Sequence, residues 1–264
     1  MINHKIKIPK KISKNKIISY FNSYGLEILT KFQNPNSQTY KLEIKKSAYK
    51  PEIEDLYRIH QFIILNKRIT ALEFGCGWST LVILHALMIN RRKYSKKILK
   101  LRYNNPFELF VLDNERKFLN IARKRINSYT KLNSSYVKFN FSPVEMCTFN
   151  NQICNNYKKL PLVNPDFIYL DGPDQFQIKN SVKGINIGHN DFMPMNCDIL
   201  YLEPFLKPGT IVLTDGRTSN FRFLVNNLKR NWVFEENYEF DQHTLYLNEK
   251  PLGAPNLSQL KFYQ

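Results

Sequence analysis

Apolar and polar positions along the chain follow two different periods. Between residues 51 and 66, Ile53, Leu56, Ile59, His60 and Ile63 recur at three- and four-residue spacing, which predicts a helix with Pro51 near its first turn. Shorter, largely apolar stretches at 69–72, 107–112, 136–141, 165–170 and 210–214 read as strands, that at 165–170 of the buried type. Helical patterns separate them: 81–88, 117–126 (Phe118, Leu119, Ala122, Ile126), the end of a helix at 200–206, and 221–230. Residues 232–238 and 243–247 read as closing strands. Strands alternating with helices predict an open α/β sheet.

The remaining stretches are less regular. Residues 1–50 read as an N-terminal extension to a main domain of residues 51–264. In the extension, Ile17, Ile18, Tyr20 and Phe21, followed by Leu26 and Leu29, have helical spacing; 33–39 is rich in turn-formers, and 38–44 alternates like a strand. A helix-plus-hairpin cap fits this pattern, and so does an arm that packs on a second subunit of a homo-oligomer. The basic segment 90–105 separates Glu73 from Asp113 by more than a minimal βαβ unit needs, so it is an insertion or an extension of the preceding helix. Residues 150–164 read as an irregular loop or a short helix.

Composition narrows the class. The chain has 264 residues, 43% hydrophobic and 14% aromatic, enough for a sizeable core in one large domain or two small ones. No apolar run approaches the roughly 20 residues of a membrane span, and no apolar segment follows the basic N-terminus as a secretory leader would require. The four cysteines, Cys76, Cys147, Cys154 and Cys197, form no C-x-x-C pair and read as reduced thiols of a cytoplasmic protein. The net charge of +17 suggests a nucleic-acid or anionic-surface partner. Lys, Asn and Ile are abundant throughout, however, and the lysines are scattered, so the charge reads as compositional, with no specific nucleic-acid partner.

The candidate chemistry begins at Glu73-Phe74-Gly75-Cys76-Gly77-Trp78-Ser79-Thr80, a strand, a glycine turn and a helix start. A turn this tight favours positive φ, and bare backbone lets a ligand approach closely. Ser79 or Thr80 is placed to cap the helix. A dinucleotide loop would carry a third glycine where Thr80 stands. An acid two residues before G-x-G-x-[GS] instead resembles the first motif of class I S-adenosylmethionine (SAM)-dependent methyltransferases.

The resemblance extends over residues 68–248. Asp113 ends the second strand, where its two oxygens can accept both ribose hydroxyls or cap the following helix. Ser142 follows the third strand at the position that flanks adenine. Asp171-Gly172-Pro173-Asp174 follows the fourth, and a Lys207-Pro208-Gly209 turn leads into a strand that ends at Asp215. What the resemblance implies is a Rossmann-like methyltransferase fold: a seven-stranded, mostly parallel sheet with an antiparallel last strand, helices on both faces and the N-terminal extension outside it. It implies SAM binding through Glu73, Gly75, Cys76, Gly77, Ser79, Asp113, Asn114, Ser142 and Asp171. Among subfamilies the chain looks closest to small-molecule and sugar O-methyltransferases, with a small-molecule or glycan hydroxyl as acceptor.

For catalysis, Asp171 and Asp215 look like the metal-binding positions of those enzymes. There a divalent ion such as Mg²⁺ binds the acceptor hydroxyl and lowers its pKa. Gly216 stands where catechol-type enzymes have Asn, and no lysine follows Asp171; a solvated acid pair or a metal-free acid/base site is the alternative. His189, in the long 175–196 connection, is a candidate general base with Asp191 to orient it. Arg217 could hold an anionic or sugar group, or form a surface ion pair. The other functional classes are an RNA methyltransferase, a basic nucleic-acid-binding module, and a scaffold without activity. No aromatic adjoins Pro173 to stack a flipped base.

Overall fold

The computed structural model describes residues 6–33, 50–129 and 132–264. The chain opens with helices α1 (Lys14–Ser23) and α2 (Glu27–Thr30), then α3 (Ile53–Leu65). The core follows as β1 (Ala71–Phe74), α4 (Trp78–Ile98), β2 (Leu109–Asp113), α5 (Arg116–Ser128), β3 (Val137–Phe141), β4 (Val144–Phe149), β5 (Gln152–Tyr157) and β6 (Phe167–Leu170). It ends with α6 (Asp198–Leu202), β7 (Ile211–Asp215), α7 (Thr218–Asn227), β8 (Trp232–Glu235), β9 (Gln242–Leu247) and α8 (Gly253–Tyr263).

Seven strands form one sheet in the order β3-β2-β1-β6-β7-β9-β8. All neighbours from β3 to β7 pair in parallel, whereas β9 runs antiparallel to both β7 and β8. The chain order reverses direction beside β1, so β1 and β6 flank the switch point where an open α/β sheet leaves a crevice at its carboxyl edge. β1, β2 and β6 are buried at every position, which is why they read as mainly apolar runs, broken only by Glu73 and by Asp113 at the end of β2. One apolar layer joins α1, α3, α4 and α5 to one face of the sheet. A second joins α6, α7 and the β4–β5 hairpin to the other. This is the sheet that the sequence predicts.

Three regions resolve, correct or add to the sequence reading. The basic segment after residue 90 is helix extension rather than insertion: α4 continues to Ile98, burying Tyr94 and Ile98 while the residues between them face solvent. Residues 150–164 hold neither a loop alone nor a helix, because β4 and β5 form an antiparallel hairpin through that region. Its turn residues, Asn150 and Asn151, have φ of 47° and 61°, the left-handed pair that a tight hairpin turn needs and that Asn tolerates. The C-terminal helix α8 has no counterpart in the sequence reading. Its Tyr263 donates to Asp166 at 2.9 Å and lies 3.9 Å from the buried Arg68 guanidinium. Asp166 also accepts the backbone N–H groups of Ile69 and Thr70 at 3.0 Å, closing the amino edge of the sheet.

Within the extension, Ile17, Phe21, Leu26, Leu29 and Phe32 are buried in the same core as α3, and the Tyr20 hydroxyl meets His60 Nδ1 at 2.5 Å. The apolar residues of α1 are thus used inside the chain. The strand expected at 38–44 lies outside the described residues. Among the described residues no helix is long and apolar enough to cross a membrane.

Candidate active site

The site grows out of the turn after β1. Gly75 has φ 87°, and a Cβ there would sit 2.9 Å from the Gly172 nitrogen. A Cβ on Gly172 would lie 2.3 Å from the Gly75 nitrogen. The bare backbone at these two positions therefore lets the ends of β1 and β6 pass each other. Gly77 is different: its φ is −169°, extended backbone, and a Cβ there would meet only Ser79 Oγ at 3.7 Å. Of the two capping candidates, Thr80 accepts the Gly77 N–H at 3.1 Å, while Ser79 donates to Glu73 Oε1 at 2.5 Å.

Glu73 is fully buried behind this turn, and its second carboxylate oxygen has no hydrogen-bond partner. Burial raises its carboxyl to about 8, against the lowering effect of the Ser79 and Thr80 hydroxyls. It props the turn from beneath and does not line the cavity above it. That cavity, about 480 Å³, opens over the carboxyl ends of β1, β2, β6 and β7. Gly75, Cys76, Gly77, Trp78 and Ser79 form one wall; Asp113 and the α5 residues Phe118, Ile121 and Arg125 continue it. Asp171 to Phe176, Asp215 to Arg217, and residues 50–52, 55 and 56 ahead of and within α3 complete it.

The remaining candidate cofactor residues divide into those on the cavity and those behind it. Asp113, 4% exposed, accepts the Glu115 N–H at 2.6 Å, so it shapes the turn before α5 as well as lining the cavity. Burial raises its carboxyl to about 6, with the Cys76 thiol and the Glu115 N–H holding it down. Burial pushes the Cys76 thiol up, and Asp113 adds to the effect. Asn114 exchanges two 3.2 Å hydrogen bonds with the backbone of Asp174, tying the β2 turn to the β6 turn. Ser142 is buried and its hydroxyl accepts the Lys159 N–H at 2.9 Å, so it braces the corner after β3 and is absent from the cavity wall.

Asp171 and Asp215 do share the cavity. Asp171 is exposed to it. Desolvation by the surrounding protein pushes its carboxyl up; the Arg217 guanidinium opposes the rise and the Asp215 charge adds to it. Cavity water reaches the same carboxylate and limits the rise. Asp215 Oδ2 accepts the Tyr169 hydroxyl at 2.5 Å and the Gln242 amide at 3.2 Å. Burial raises Asp215 to about 6, and these two donors restrain it. Gln242 is held in turn by Arg58, whose Nε donates to it at 2.9 Å.

Asp55, in the first turn of α3, faces the same acids from above, and its carboxyl rises to about 8 through burial and the Asp215 charge. Acids at the start of a helix ordinarily complement the helix dipole, which disguised Glu52, just ahead of α3, and Asp55, in its first turn. Tyr169 and Gln242 were hidden as ordinary strand residues.

Two sequence candidates are corrected here. His189 lies on the exposed part of the long connection, beside Asp191 and Phe192, and does not line the cavity; only the start of that connection, through Phe176, covers it. Arg217 is neither a surface ion pair nor an open anion hook: it is buried and donates to the carbonyls of Asp171 and Pro173 at 2.8 and 2.7 Å, bracing that turn.

The donor set fits SAM better than a divalent metal. The cavity has the volume of a small-molecule site, with apolar side chains such as Leu56, Trp78, Phe118 and Ile121 on one part of its wall and acids such as Asp113, Asp171 and Asp215 on another. For a metal, Asp171 and Asp215 belong to no group of three carboxylate, histidine or thiol ligand atoms within 4.8 Å of one another among the described residues, so at most these two acids would hold one. One oxygen of Asp215 is already engaged, and Arg217 places a competing cation beside Asp171.

No family model matches the sequence, and no curated protein matches it. Among solved structures, the chain is similar to an O-methyltransferase from Bacillus cereus in complex with SAH (12% identity, 92% of this chain and 94% of that one, TM-score 0.44). It is also similar to an O-methyltransferase from Streptomyces achromogenes involved in tomaymycin synthesis, in complex with SAM (12% identity, 92% of each chain, TM-score 0.42). A methyltransferase from Geobacter sulfurreducens matches at 10% identity over 91% of each chain, TM-score 0.38. Its own strand order, with β9 antiparallel beside β7, identifies this chain's fold as the Rossmann-like methyltransferase fold.

Proposed function

We propose that the protein is a SAM-dependent methyltransferase acting on a hydroxyl of a small molecule, sugar or glycan. The observation that carries this reading is one cavity, at the switch point of this sheet, that holds both the Gly75–Ser79 turn with Asp113 and the crowded acids Asp171 and Asp215. The turn backbone, Cys76, Ser79 and Asp113 would hold the cofactor, Asp113 at the ribose. When bound, SAM supplies an electrophilic methyl group.

The rest falls to this chain's side chains. An acceptor hydroxyl must lose its proton as its oxygen attacks. Asp171 stands open to the cavity beside Asp215, where a carboxylate is placed to take that proton, and its surroundings push its carboxyl up from the usual range. Asp215, fixed by Tyr169 and Gln242, keeps a negative charge nearby that makes Asp171 a stronger base. No metal enters this reading. The acids around the cavity would also repel a polyanion, which favours a neutral acceptor over RNA and leaves the basic surface without a role in recognition.

The test is calorimetry with SAM, followed by transfer from labelled SAM to a panel of sugars, phenols, lipids and RNA, with and without EDTA. SAM binding and EDTA-resistant methylation of a hydroxyl acceptor are expected. Absence of SAM binding would remove the reading, and loss of transfer on chelation would restore the metal.

A further inference from the structure

The three cysteines that the cavity does not use come together elsewhere. Cys147 on β4 and Cys154 on β5 are cross-strand partners in the hairpin, and Cys197 immediately precedes α6. Cys147 Sγ lies 3.5 Å from Cys154 Sγ and 3.8 Å from Cys197 Sγ, and all three sulfurs fall within 4.8 Å of one another. Their separations of seven and 43 residues in sequence match no zinc-ligand spacing, so only the fold reveals the group.

We propose that Cys147, Cys154 and Cys197 form a three-thiolate site for a thiophilic d¹⁰ cation, Zn²⁺ or Cu⁺, separate from the cavity. Thiolates around such an ion sit about 2.3 Å from it, and at tetrahedral angles that sets the sulfurs about 3.8 Å apart. The observed spacing is already close to this. The thiols arrive from separate segments that buried polar groups lock in place. The Asn155 N–H donates to Met195 O, and the Cys197 N–H donates to Asn155 O, both at 2.9 Å. The fully buried Asn196 donates to the side chains of Asn155 and Asp198, and Asp198 accepts the Tyr157 N–H at 3.0 Å. A pairwise disulfide would use two of these sulfurs and leave Cys197 in the same pocket without a purpose.

Cys154 and Cys197 are buried, while Cys147 is half-buried, so an ion enters from the Cys147 side. Three thiolates complete a trigonal Cu⁺ site; Zn²⁺ would take its fourth ligand from solvent through the same opening. Binding replaces up to three thiol protons, released to solvent, by the cation, with no change of oxidation state. The ion would staple the β4–β5 hairpin to the start of α6.

The experiment uses the full chain, kept reduced by a phosphine and stripped of metal. Zn²⁺ is titrated against a chromophoric chelator, and Cu⁺ against a Cu⁺-selective one. One ion per chain, with proton release, is expected in at least one arm, and the tighter arm names the metal. Cys147→Ser, Cys154→Ser and Cys197→Ser should each weaken binding by more than about 100-fold, beyond what loss of an outer-shell partner costs, and Cys76→Ser should not. The ion should raise the unfolding temperature of the unmodified chain and not of the three variants. Should a variant fail to fold, alkylation of the unmodified chain decides: one equivalent of the ion must slow modification of Cys147, mapped by mass spectrometry. Failure of both titrations, binding that survives any of the three substitutions, unslowed alkylation, or a Cys147–Cys154 disulfide in a reduced-then-aired chain that takes up no metal would overturn the proposal.

Discussion

The Tyr169 hydroxyl donates to Asp215 Oδ2 at 2.5 Å across the β6–β7 pair, from a side chain that is almost fully buried. The bond favours the ionised form of Asp215. Tyr169→Phe should therefore raise the Asp215 pKa above about 6. A hydrogen bond to a charged group is worth about 1.5–3 kcal/mol, which corresponds to about one to two pH units. With Asp215 protonated over more of the range, its support for Asp171 as a base fades. The rate near pH 6–7 should fall while SAM affinity stays, and the pH–rate profile of the variant checks this.

Asp171→Asn removes the proposed proton acceptor and leaves the side chain's shape. Turnover should drop by about 10²–10⁴-fold, the range for general-base help, with SAM affinity nearly unchanged. Single-turnover kinetics beside calorimetry separate the two. His189→Ala, outside the cavity, should leave turnover within about twofold of the unmodified enzyme; a loss comparable to that of Asp171→Asn would bring the long connection back over the site.

Glu73 links pH to stability. Its carboxyl is pushed up to about 8 in the fold against the ordinary 4.5 of a glutamate, so the native state holds a proton that the unfolded chain releases. Native-state proton binding exceeds that of the unfolded state between these values, and stability falls as pH rises from about 4.5 to about 8. Glu73→Gln keeps an acceptor for Ser79 and removes the titration. Its melting temperature should be flatter across that window, and SAM binding should survive because Glu73 sits behind the turn. A variant that melts with the unmodified pH slope would contradict the assignment.

The two glycines that pass each other differ from Gly77. Gly172→Ala must displace backbone, since its Cβ would approach the Gly75 nitrogen to 2.3 Å, and should destabilise the chain by at least about 1–3 kcal/mol. Gly77→Ala has room in the protein and should fold normally, with its methyl group intruding on the cofactor side of the turn. Melting temperature should separate the first variant from the unmodified chain, and SAM titration the second.

How much was legible beforehand follows from where the information sits. β1, β2 and β6 were readable because burial on both faces leaves a mainly apolar run, and Gly75, Asp113, Asp171 and Asp215 because each stands where such a run stops. The β4–β5 hairpin escaped because its strands mix buried and exposed positions and its turn uses Asn150-Asn151 without a glycine. Residues of the acid centre that belong to another element's ordinary grammar were also invisible: Asp55, on the cavity, looks like a helix's first-turn acid, and Gln242, buried behind it, stands just ahead of the strand read at 243–247. Glu73, Asn114 and Ser142 lie at or near strand ends, yet their polar groups turn toward neighbouring backbone or side chains, a choice of direction that one-dimensional pattern does not record. His189 has the right chemistry on the right connection, but only the first few residues of that connection reach the cavity.

The reversed direction of β9 has a consequence for how firmly the acid centre is built. At this edge of the sheet every parallel strand finishes, so whatever those strands offer there comes from a terminus or the loop beyond it. β9 begins at the same edge. Gln242, its first residue, is paired with Asp215 in the ladder and fully buried. Asp215 is thereby gripped by an amide anchored in sheet and by a phenol from inside β6, so its orientation is set by the most rigid layer of the molecule. Loops on either side can vary to suit an acceptor without loosening that grip.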